Sequence, residues 1–159
     1  MDRTKLPFRI NCEGYFLNDN KQILAKLNEK GFVIFPGGGI DDSEPIEEGM
    51  KRETLEETGA IIEDLKEVGS EKFIWGKDWA QTPKQKKRYE IYQGDEMHFF
   101  IGKVIGFKES SLEEDTWGSQ KFMNLDEVIK LIKGRLENDH ENNYVHMQLE
   151  FLMKINNYK

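Results

Sequence analysis

The sequence predicts a layered α/β or α+β domain, and three observations support this. Strand-like segments fill the first and middle parts of the chain, segments with helical apolar spacing lie between and after them, and 37% of the 159 residues are hydrophobic. The length favours a single domain over residues 1–159, whose hydrophobic core is large enough to fold without disulfides or structural metals. The one cysteine excludes an internal disulfide, and no Cys/His spacing is typical of zinc.

No segment predicts a membrane span or a secretory leader. No run approaches 18 apolar residues, and residues 1–7 contain no apolar stretch of signal-peptide length. We therefore expect a cytoplasmic protein.

The first forty residues predict strands separated by turns. Phe8–Leu17 and Gln22–Leu27 read as a hairpin across the turn Asn18–Asn20. Phe32–Phe35 is a short apolar run that predicts a buried strand. The Gly37–Gly39 run that follows lets the backbone turn sharply and come close to another group.

A helix is predicted after these glycines. Asp42 or Ser43 can cap it, Pro45 suits its first turn, and Gly59 is a typical helix-ending glycine.

The second half of the chain predicts further strands and two amphipathic helices. Leu65–Trp75 and Arg88–Tyr92 are predicted to be extended, and Met97–Phe107 and the short segment Gln120–Asn124 are predicted strands. Lys108–Ser119 is predicted to be an acidic loop. One helix is predicted to begin at Leu125 and end near Gly134, and a last helix lies around Val145–Ile155.

The net charge of −7 is concentrated in one segment. Between Gly38 and Ala60 lie eight acids and two bases, so this segment carries −6 and the rest of the chain is nearly balanced. A general nucleic-acid binder should present a broad basic face, and this chain does not. The acidic segment indicates either a divalent-cation site or a solvated helix.

Helical geometry favours the cation. On a helical wheel with 100° per residue and Ile46 placed at 0°, Met50 lies at about 40° and Glu53 at about 340°. On the same wheel Glu57 lies at about 20° and Glu56 at about 280°. Glu53 and Glu57 therefore share the stripe expected to face the protein. Like charges at this spacing repel and burial raises the cost, so a hard cation bound by carboxylate oxygens is the better match.

The stretch GGIDDSEPIEEGMKRETLEETGA resembles the signature of the Nudix hydrolases. All seven fixed positions of that signature are filled, by Gly38, Glu44, Arg52, Glu53, Glu56, Glu57 and Gly59. One apolar position of the signature is Thr54, a mild change at a packing position.

This resemblance implies a fold and a reaction. The fold is an α/β/α sandwich with a mixed sheet between helices, and the reaction is hydrolysis of a nucleoside diphosphate linked to another group X. Mg²⁺ is the expected cofactor, and Mn²⁺ is the alternative. Many members of the family dimerise, so the sequence leaves open whether this protein forms a homodimer.

The resemblance also implies roles for residues. Glu53, Glu56 and Glu57 would hold the metal together with the Gly37 carbonyl group.

Three motif residues would complete the catalytic set, Glu53, Arg52 and Glu44. Glu53 can alternatively act as the general base. Arg52 would orient a carboxylate through a bidentate pair, for which Glu44 is the expected partner. A plain ion pair between loop and helix is the alternative for Glu44 and Arg52.

An acidic residue outside the motif is an alternative candidate for the general base. The acids considered for it are Glu96, Glu109, Glu113, Glu114 and Asp115.

The segment WGKDWAQTPKQKKRYEIY interleaves aromatic and basic residues. Trp75 and Trp79 can stack on a base, and Lys87 and Arg88 can contact phosphate. An exposed hairpin tip anchored by its aromatics is the alternative.

We expect a Mg²⁺-dependent pyrophosphohydrolase, and we favour an ordinary or oxidised nucleoside triphosphate that yields the monophosphate and pyrophosphate. Alternative substrates are dinucleoside polyphosphates, nucleotide sugars and capped RNA ends. A nucleotide-sensing domain without catalysis is the alternative from another class.

Overall fold

A computed structural model of the protein describes residues 2–108, 117–118 and 121–157. The predicted acidic loop falls largely outside this range, and with it Glu109, Glu113, Glu114 and Asp115. After a short 3₁₀ helix at Arg3–Lys5, the elements are β1 Phe8–Leu17, β2 Gln22–Leu24, β3 Lys26–Leu27, β4 Val33–Ile34, β5 Gly37–Gly39, α1 Ile46–Thr58, β6 Ala60–Ile74, α2 Pro83–Ile91, β7 Gly94–Phe107, β8 Phe122–Asn124, α3 Leu125–Asn138 and α4 Asn143–Asn157.

The main sheet is mixed, with the strand order β6-β7-β1-β2-β8. β1 is parallel to β7 along its whole length and antiparallel to β2 and β5. The first half of β1 therefore lies between β7 and β5, which brings the glycine strand β5 beside the centre of the sheet. β3 and β4 form a separate two-stranded ladder.

Helices cover both faces of this sheet, because successive strand side chains point to opposite faces. On one face Cys12, Phe16 and Phe100 pack with Met50 of α1. On the other face the neighbouring strand residues, such as Tyr15 and Phe99, pack with α3 and α4. The prediction of an α/β/α sandwich around a mixed sheet is confirmed. In the described part of the chain, no helix is long and apolar enough to cross a membrane.

A buried carboxyl group joins β1 to α4. Glu13 is 7% exposed and accepts hydrogen bonds from the hydroxyls of Tyr15 and Tyr144. The Gln148 amide donates a third hydrogen bond, 3.2 Å long. Burial raises the pKa of Glu13 above its usual range, and the three donors oppose that rise.

Two predictions in the first half were wrong in detail. Gly37–Gly39 is not a sharp turn but a strand, paired with Asn11, Cys12 and Glu13. Asp42 and Ser43 do not cap α1: the helix begins after Pro45 without a side-chain cap. The acceptor near this end is Glu44, which the amide of Asp41 reaches at 3.1 Å.

Two predictions in the second half also need correction. The predicted strand Arg88–Tyr92 is largely the helix α2, which begins in a reciprocal capping box between Thr82 and Gln85. α3 does not close near Gly134 but continues to Asn138. Single glycines weaken a helix without ending it, and the apolar spacing through Leu136 carries α3 onward.

Candidate active site

Helix α1 packs on the sheet through Met50, Thr54 and Thr58, all at 0% exposure. Each threonine donates its hydroxyl to the carbonyl oxygen four residues earlier, over 2.8 Å and 2.6 Å. The hydroxyls are therefore satisfied within the helix, and the threonines bury like apolar residues. Glu53 and Glu57 lie on the edge of this buried face, half-buried.

Arg52 gathers three glutamates around one guanidinium. Its Nε and Nη2 atoms donate to the two carboxylate oxygens of Glu44, over 2.8 Å and 3.0 Å. Its Nη1 atom donates to Glu53 at 3.1 Å and to Glu56 at 3.2 Å. Nη2 also donates to the carbonyl oxygen of Gly39 at 3.2 Å. The arginine thus ties the loop before α1, the strand β5 and the acidic face of α1 together.

The glycine strand β5 touches the same carboxylates. The amide of Gly37 donates to Oε1 of Glu57 over 2.9 Å. A Cβ atom on Gly38 would lie 2.5 Å from Oε2 of Glu53. On its other side β5 is equally tight, since a Cβ atom on Gly37 would lie 2.2 Å from the carbonyl oxygen of Cys12. A side chain at Gly37 would thus meet rigid backbone, whereas one at Gly38 would meet the flexible end of the Glu53 side chain.

Burial dominates the electrostatics of the two half-buried carboxyl groups. The pKa of Glu57 is raised to about 7, chiefly by desolvation and in part by the neighbouring Glu53, although the hydrogen bonds from the Gly37 amide and the Trp117 side chain act to lower it. Desolvation also raises the pKa of Glu53, against the opposing charge of Arg52. In contrast, the hydrogen bonds from Arg52 lower the pKa of Glu44.

The donor chemistry of this cluster fits a hard divalent cation. Glu53, Glu56 and Glu57 supply carboxylate oxygens within about one turn of helix α1, and hard divalent cations prefer oxygen ligands of this kind. Within the described residues, no three His, Cys, Asp or Glu side chains already stand together as a metal-ligand set. Binding therefore requires these glutamates to turn towards one point.

Two adjoining cavities open beside the cluster. The first, here called the helix-side cavity, has a volume of about 990 Å³. Glu44 and Glu53 line it together with the cations Arg9, Lys84 and Arg88. Opposite charges thus share one cavity, which suits a phosphate chain accompanied by a cation.

The second, here called the tryptophan cavity, has a volume of about 370 Å³. Its lining includes Trp79, Asn11 and Asp95. Gly38 also lines this cavity, as do Arg9 and Arg88. These three residues line both cavities, so a single ligand could occupy both.

The predicted substrate residues differ in their placement. Trp79 and Arg88 line the tryptophan cavity, and Arg88 lines the helix-side cavity as well. Trp75 is 6% exposed and stacks on Trp79, with ring centroids 3.7 Å apart and planes 2° apart. Lys87 is exposed on α2 and is not among the lining residues of either cavity.

Glu96 lies on β7 in a surface cluster with a histidine. His98 contacts Glu96 through Nε2 at 2.7 Å and Glu67 through Nδ1 at 2.8 Å. The imidazole therefore separates the two carboxylates.

Sequence reasoning missed Arg9, Asn11 and Asp95. Asn11 is 6% exposed, receives a hydrogen bond from Arg9 at 2.7 Å and donates to Asp95. The available signal was the polar residue at every second position of an otherwise apolar β1, which marks one face of the strand.

Comparison with known sequences identifies the family. The family pattern described as NUDIX domain matches residues 14–145. The chain belongs to the Nudix hydrolase family. As a Nudix protein with its signature carboxylates in place, it is an enzyme that hydrolyses phosphoric anhydride bonds, as the sequence predicted.

Relatives and solved structures agree with this assignment. An RNA pyrophosphohydrolase of Vibrio vulnificus is 30% identical, with 69% of each chain covered. One of Tolumonas auensis is 28% identical, with 72% of this chain and 67% of the relative covered. A NUDIX hydrolase from Nitrosomonas europaea has the same fold, with a TM-score of 0.58 at 16% identity over 94% of this chain and 90% of that one. A MutT protein from Bacillus halodurans aligns with a TM-score of 0.53 at 21% identity, over 78% and 73% of the two chains.

Proposed function

We propose that this Nudix enzyme uses Mg²⁺, or Mn²⁺ in its place, to hydrolyse a nucleoside triphosphate to the monophosphate and pyrophosphate. The observation that carries the proposal is the helix-side cavity. There Glu53 lies in the same cavity as Arg9, Lys84 and Arg88. A polyphosphate needs cationic side chains along its oxygens and a metal at the bond that breaks. This cavity presents three cations beside Glu53, one of the three proposed carboxylate ligands of the metal.

The metal site in this proposal comprises Glu53, Glu56 and Glu57 together with the Gly37 carbonyl group. When bound, a divalent cation polarises the phosphoryl oxygens and lowers the pKa of the attacking water. The Gly37 amide already holds the Glu57 carboxylate against β5, the strand that carries the Gly37 carbonyl group.

The remaining motif residues position these ligands. Arg52, held by both oxygens of Glu44, keeps the Glu53 and Glu56 carboxylates directed to one side of α1. In the alternative role of general base, Glu53 would be a better proton acceptor than an exposed carboxylate, because desolvation raises its pKa. Glu96 stays an alternative base.

The substrate contacts in this proposal are Trp79 against the base and Arg88 against phosphate, since both line the cavities. Lys87 stays a prediction, as do a cytoplasmic location and a homodimer. Localisation imaging and sedimentation would test those last two.

A second candidate substrate is the 5′-triphosphate end of an RNA. The observation that favours it is the printed function of the relatives from Vibrio vulnificus and Tolumonas auensis, which are RNA pyrophosphohydrolases. The large helix-side cavity has room for a chain that continues beyond one nucleotide.

The test is hydrolysis of nucleoside triphosphates and a 5′-triphosphate RNA oligonucleotide with Mg²⁺, read as phosphate release with and without added pyrophosphatase. We expect signal that depends on pyrophosphatase, abolished by Glu57→Gln and retained in Glu47→Gln, whose exposed carboxylate lies in the first turn of α1. Turnover that persists in folded Glu57→Gln contradicts the metal site. Nucleotide binding without any turnover indicates a sensor.

A further inference from the structure

Helix α2 brings cations to the helix-side cavity although it has no buried anchor of its own. Lys84, Arg88 and Ile91 line that cavity, and their spacing of four and three residues places them on one face of the helix. None of the nine residues Pro83–Ile91 is buried. A helix of this length is marginal without tertiary packing, so contacts at its two ends must hold α2 in place.

The N-terminal end of α2 is held from within the loop that precedes it. Thr82 and Gln85 form the capping box at the start of the helix. Trp79, which lies just before this box, stacks on the buried ring of Trp75. Because Trp75 directly follows β6, this end of α2 is tied to the end of the sheet.

The C-terminal end of α2 is held by Arg3, in the 3₁₀ helix before β1. Nη1 of Arg3 donates to the carbonyl oxygen of Tyr89 over 2.5 Å, and Nη2 donates to that of Tyr92 over 2.9 Å. The guanidinium also lies on the Tyr89 ring, with Cζ 3.4 Å from the ring centroid. The last carbonyl groups of a helix lack partners inside it and carry partial negative charge, so a cation there is favourable. Arg3 therefore caps α2 from a distant part of the chain.

Further hydrogen bonds dock the segment that carries Arg3. The Gln93 side chain donates from Nε2 to the carbonyl oxygens of Thr4 and Leu6, over 3.1 Å and 2.5 Å. The backbone amide of Gln93 donates to the carbonyl oxygen of Pro7 over 3.0 Å. These bonds fix the segment beside the end of α2, within reach of the Arg3 side chain.

Charge repulsion acts on α2 in the opposite direction. Arg88 of α2 and Arg9 of β1 line both cavities. Burial and the charge of Arg88 lower the pKa of Arg9, whereas Asp95 raises it. Arg9 also lies close to the glycine strand, since a Cβ atom on Gly39 would lie 2.4 Å from its Nη2 atom. Two cations thus converge beside β5, and they repel each other when no anion lies between them.

We propose that Arg3 is a positioning residue for the polyphosphate, because it caps α2 and so holds Arg88 opposite Arg9 where the two cavities meet. Arg3 is not among the described residues that line either cavity, so its effect on a ligand passes through α2. This inference rests on the proposed function and adds a residue to its phosphate site. The proposed metal ligands lie on α1 and β5, so loss of Arg3 should affect phosphate binding more than the chemical step.

The experiment measures phosphate binding without catalysis, by isothermal titration calorimetry of inorganic tripolyphosphate against the full chain in EDTA. Arg88→Gln should weaken binding about tenfold, the scale of one lost charge-assisted hydrogen bond. Arg3→Ala should weaken binding about fivefold, because α2 is then free to move away from Arg9. Lys5→Ala removes the same charge from an exposed position of the same 3₁₀ helix, and this control should bind like the wild type.

A double variant distinguishes positioning from a general loss of stability. Arg3→Ala combined with Arg88→Gln should bind tripolyphosphate no more weakly than Arg88→Gln alone, because Arg3 acts through Arg88. A purely structural role would lower stability to urea and leave the two effects on affinity multiplicative. Arg3→Lys retains the charge but not the fork that spans two carbonyl groups, and its affinity should lie between those of Arg3→Ala and the wild type. It also provides the test if Arg3→Ala does not fold.

Kinetics provide a second readout. With a nucleoside triphosphate and Mg²⁺, Arg3→Ala should raise KM and leave kcat nearly unchanged. Wild-type protein that does not bind tripolyphosphate, unchanged affinity in folded Arg3→Ala, or multiplicative effects in the double variant would overturn the role of Arg3. The predicted binding pattern without hydrolysis in Mg²⁺ would leave that role standing and reject the proposed function alone.

Discussion

Arg52 shows how one residue organises the acidic face of α1. It holds both oxygens of Glu44 and also reaches Glu53 and Glu56. We predict that Arg52→Lys destabilises the fold by about 1–3 kcal/mol, because an ammonium cannot hold this forked geometry and leaves half-buried carboxylates underpaired. Urea unfolding measures the change, with the exposed Lys51→Gln as control. Equal stability of Arg52→Lys and the control would show that the network is incidental.

The spacing of the motif predicted which residues would meet, but not how α1 packs. The helical wheel placed Glu53 and Glu57 on the stripe of Ile46 and Met50. The buried face instead runs through Met50, Thr54 and Thr58, because the threonine hydroxyls are satisfied inside the helix. Residue type alone does not reveal that pairing, so the two glutamates lie at the edge of the face rather than on it.

At the level of elements, substitutions in the glycine strand β5 should affect stability and activity separately. A methyl group on Gly38 would meet the flexible end of Glu53, whereas one on Gly37 would meet the rigid backbone of Cys12. We predict that Gly38→Ala folds with a loss of less than about 1 kcal/mol but loses most activity because it displaces Glu53. Gly37→Ala should lose more stability, since β1 and β5 must separate.

Thermal unfolding and hydrolysis rates measure this pair of variants. Gly106→Ala, where an added methyl group meets nothing within 4 Å, is the matched control. Full activity in Gly38→Ala would mean that the close approach of β5 to Glu53 has no catalytic role.

Secondary structure was predicted correctly from sequence where apolar residues recur at a regular spacing. It was predicted wrongly where a helix cap or a distant pairing partner determines the structure. The long strands β1 and β7 and the helices α3 and α4 follow from their apolar spacing. α2 was missed because its sequence is dominated by lysines, and only the Thr82–Gln85 capping box marked its start. The strand β5 was missed because its pairing with β1 depends on a distant segment.

For the whole molecule, the buried Glu13 cluster couples the sheet to the last helix. Its raised pKa means that the folded state retains a proton that the unfolded chain loses above pH about 4.5. This contribution to stability is therefore complete below pH about 4.5 and declines as the pH rises towards the raised folded pKa. We predict that Glu13→Gln reduces the loss of stability between pH 4.5 and neutrality.

Urea unfolding across this pH range measures the effect. The control is Glu150→Gln, which alters an exposed carboxylate on α4, the helix whose Tyr144 and Gln148 contact Glu13. A pH profile for Glu13→Gln parallel to that of wild type would show that Glu13 does not titrate as its burial implies.

The account depends above all on the three glutamates of α1 holding a divalent cation. The most direct measurement is titration of the metal-free protein with Mn²⁺, followed by the electron paramagnetic resonance signal of free Mn²⁺. We predict that the wild type and Glu47→Gln bind Mn²⁺ alike and that Glu57→Gln binds it at least tenfold more weakly. Unchanged Mn²⁺ affinity in folded Glu57→Gln would contradict the site.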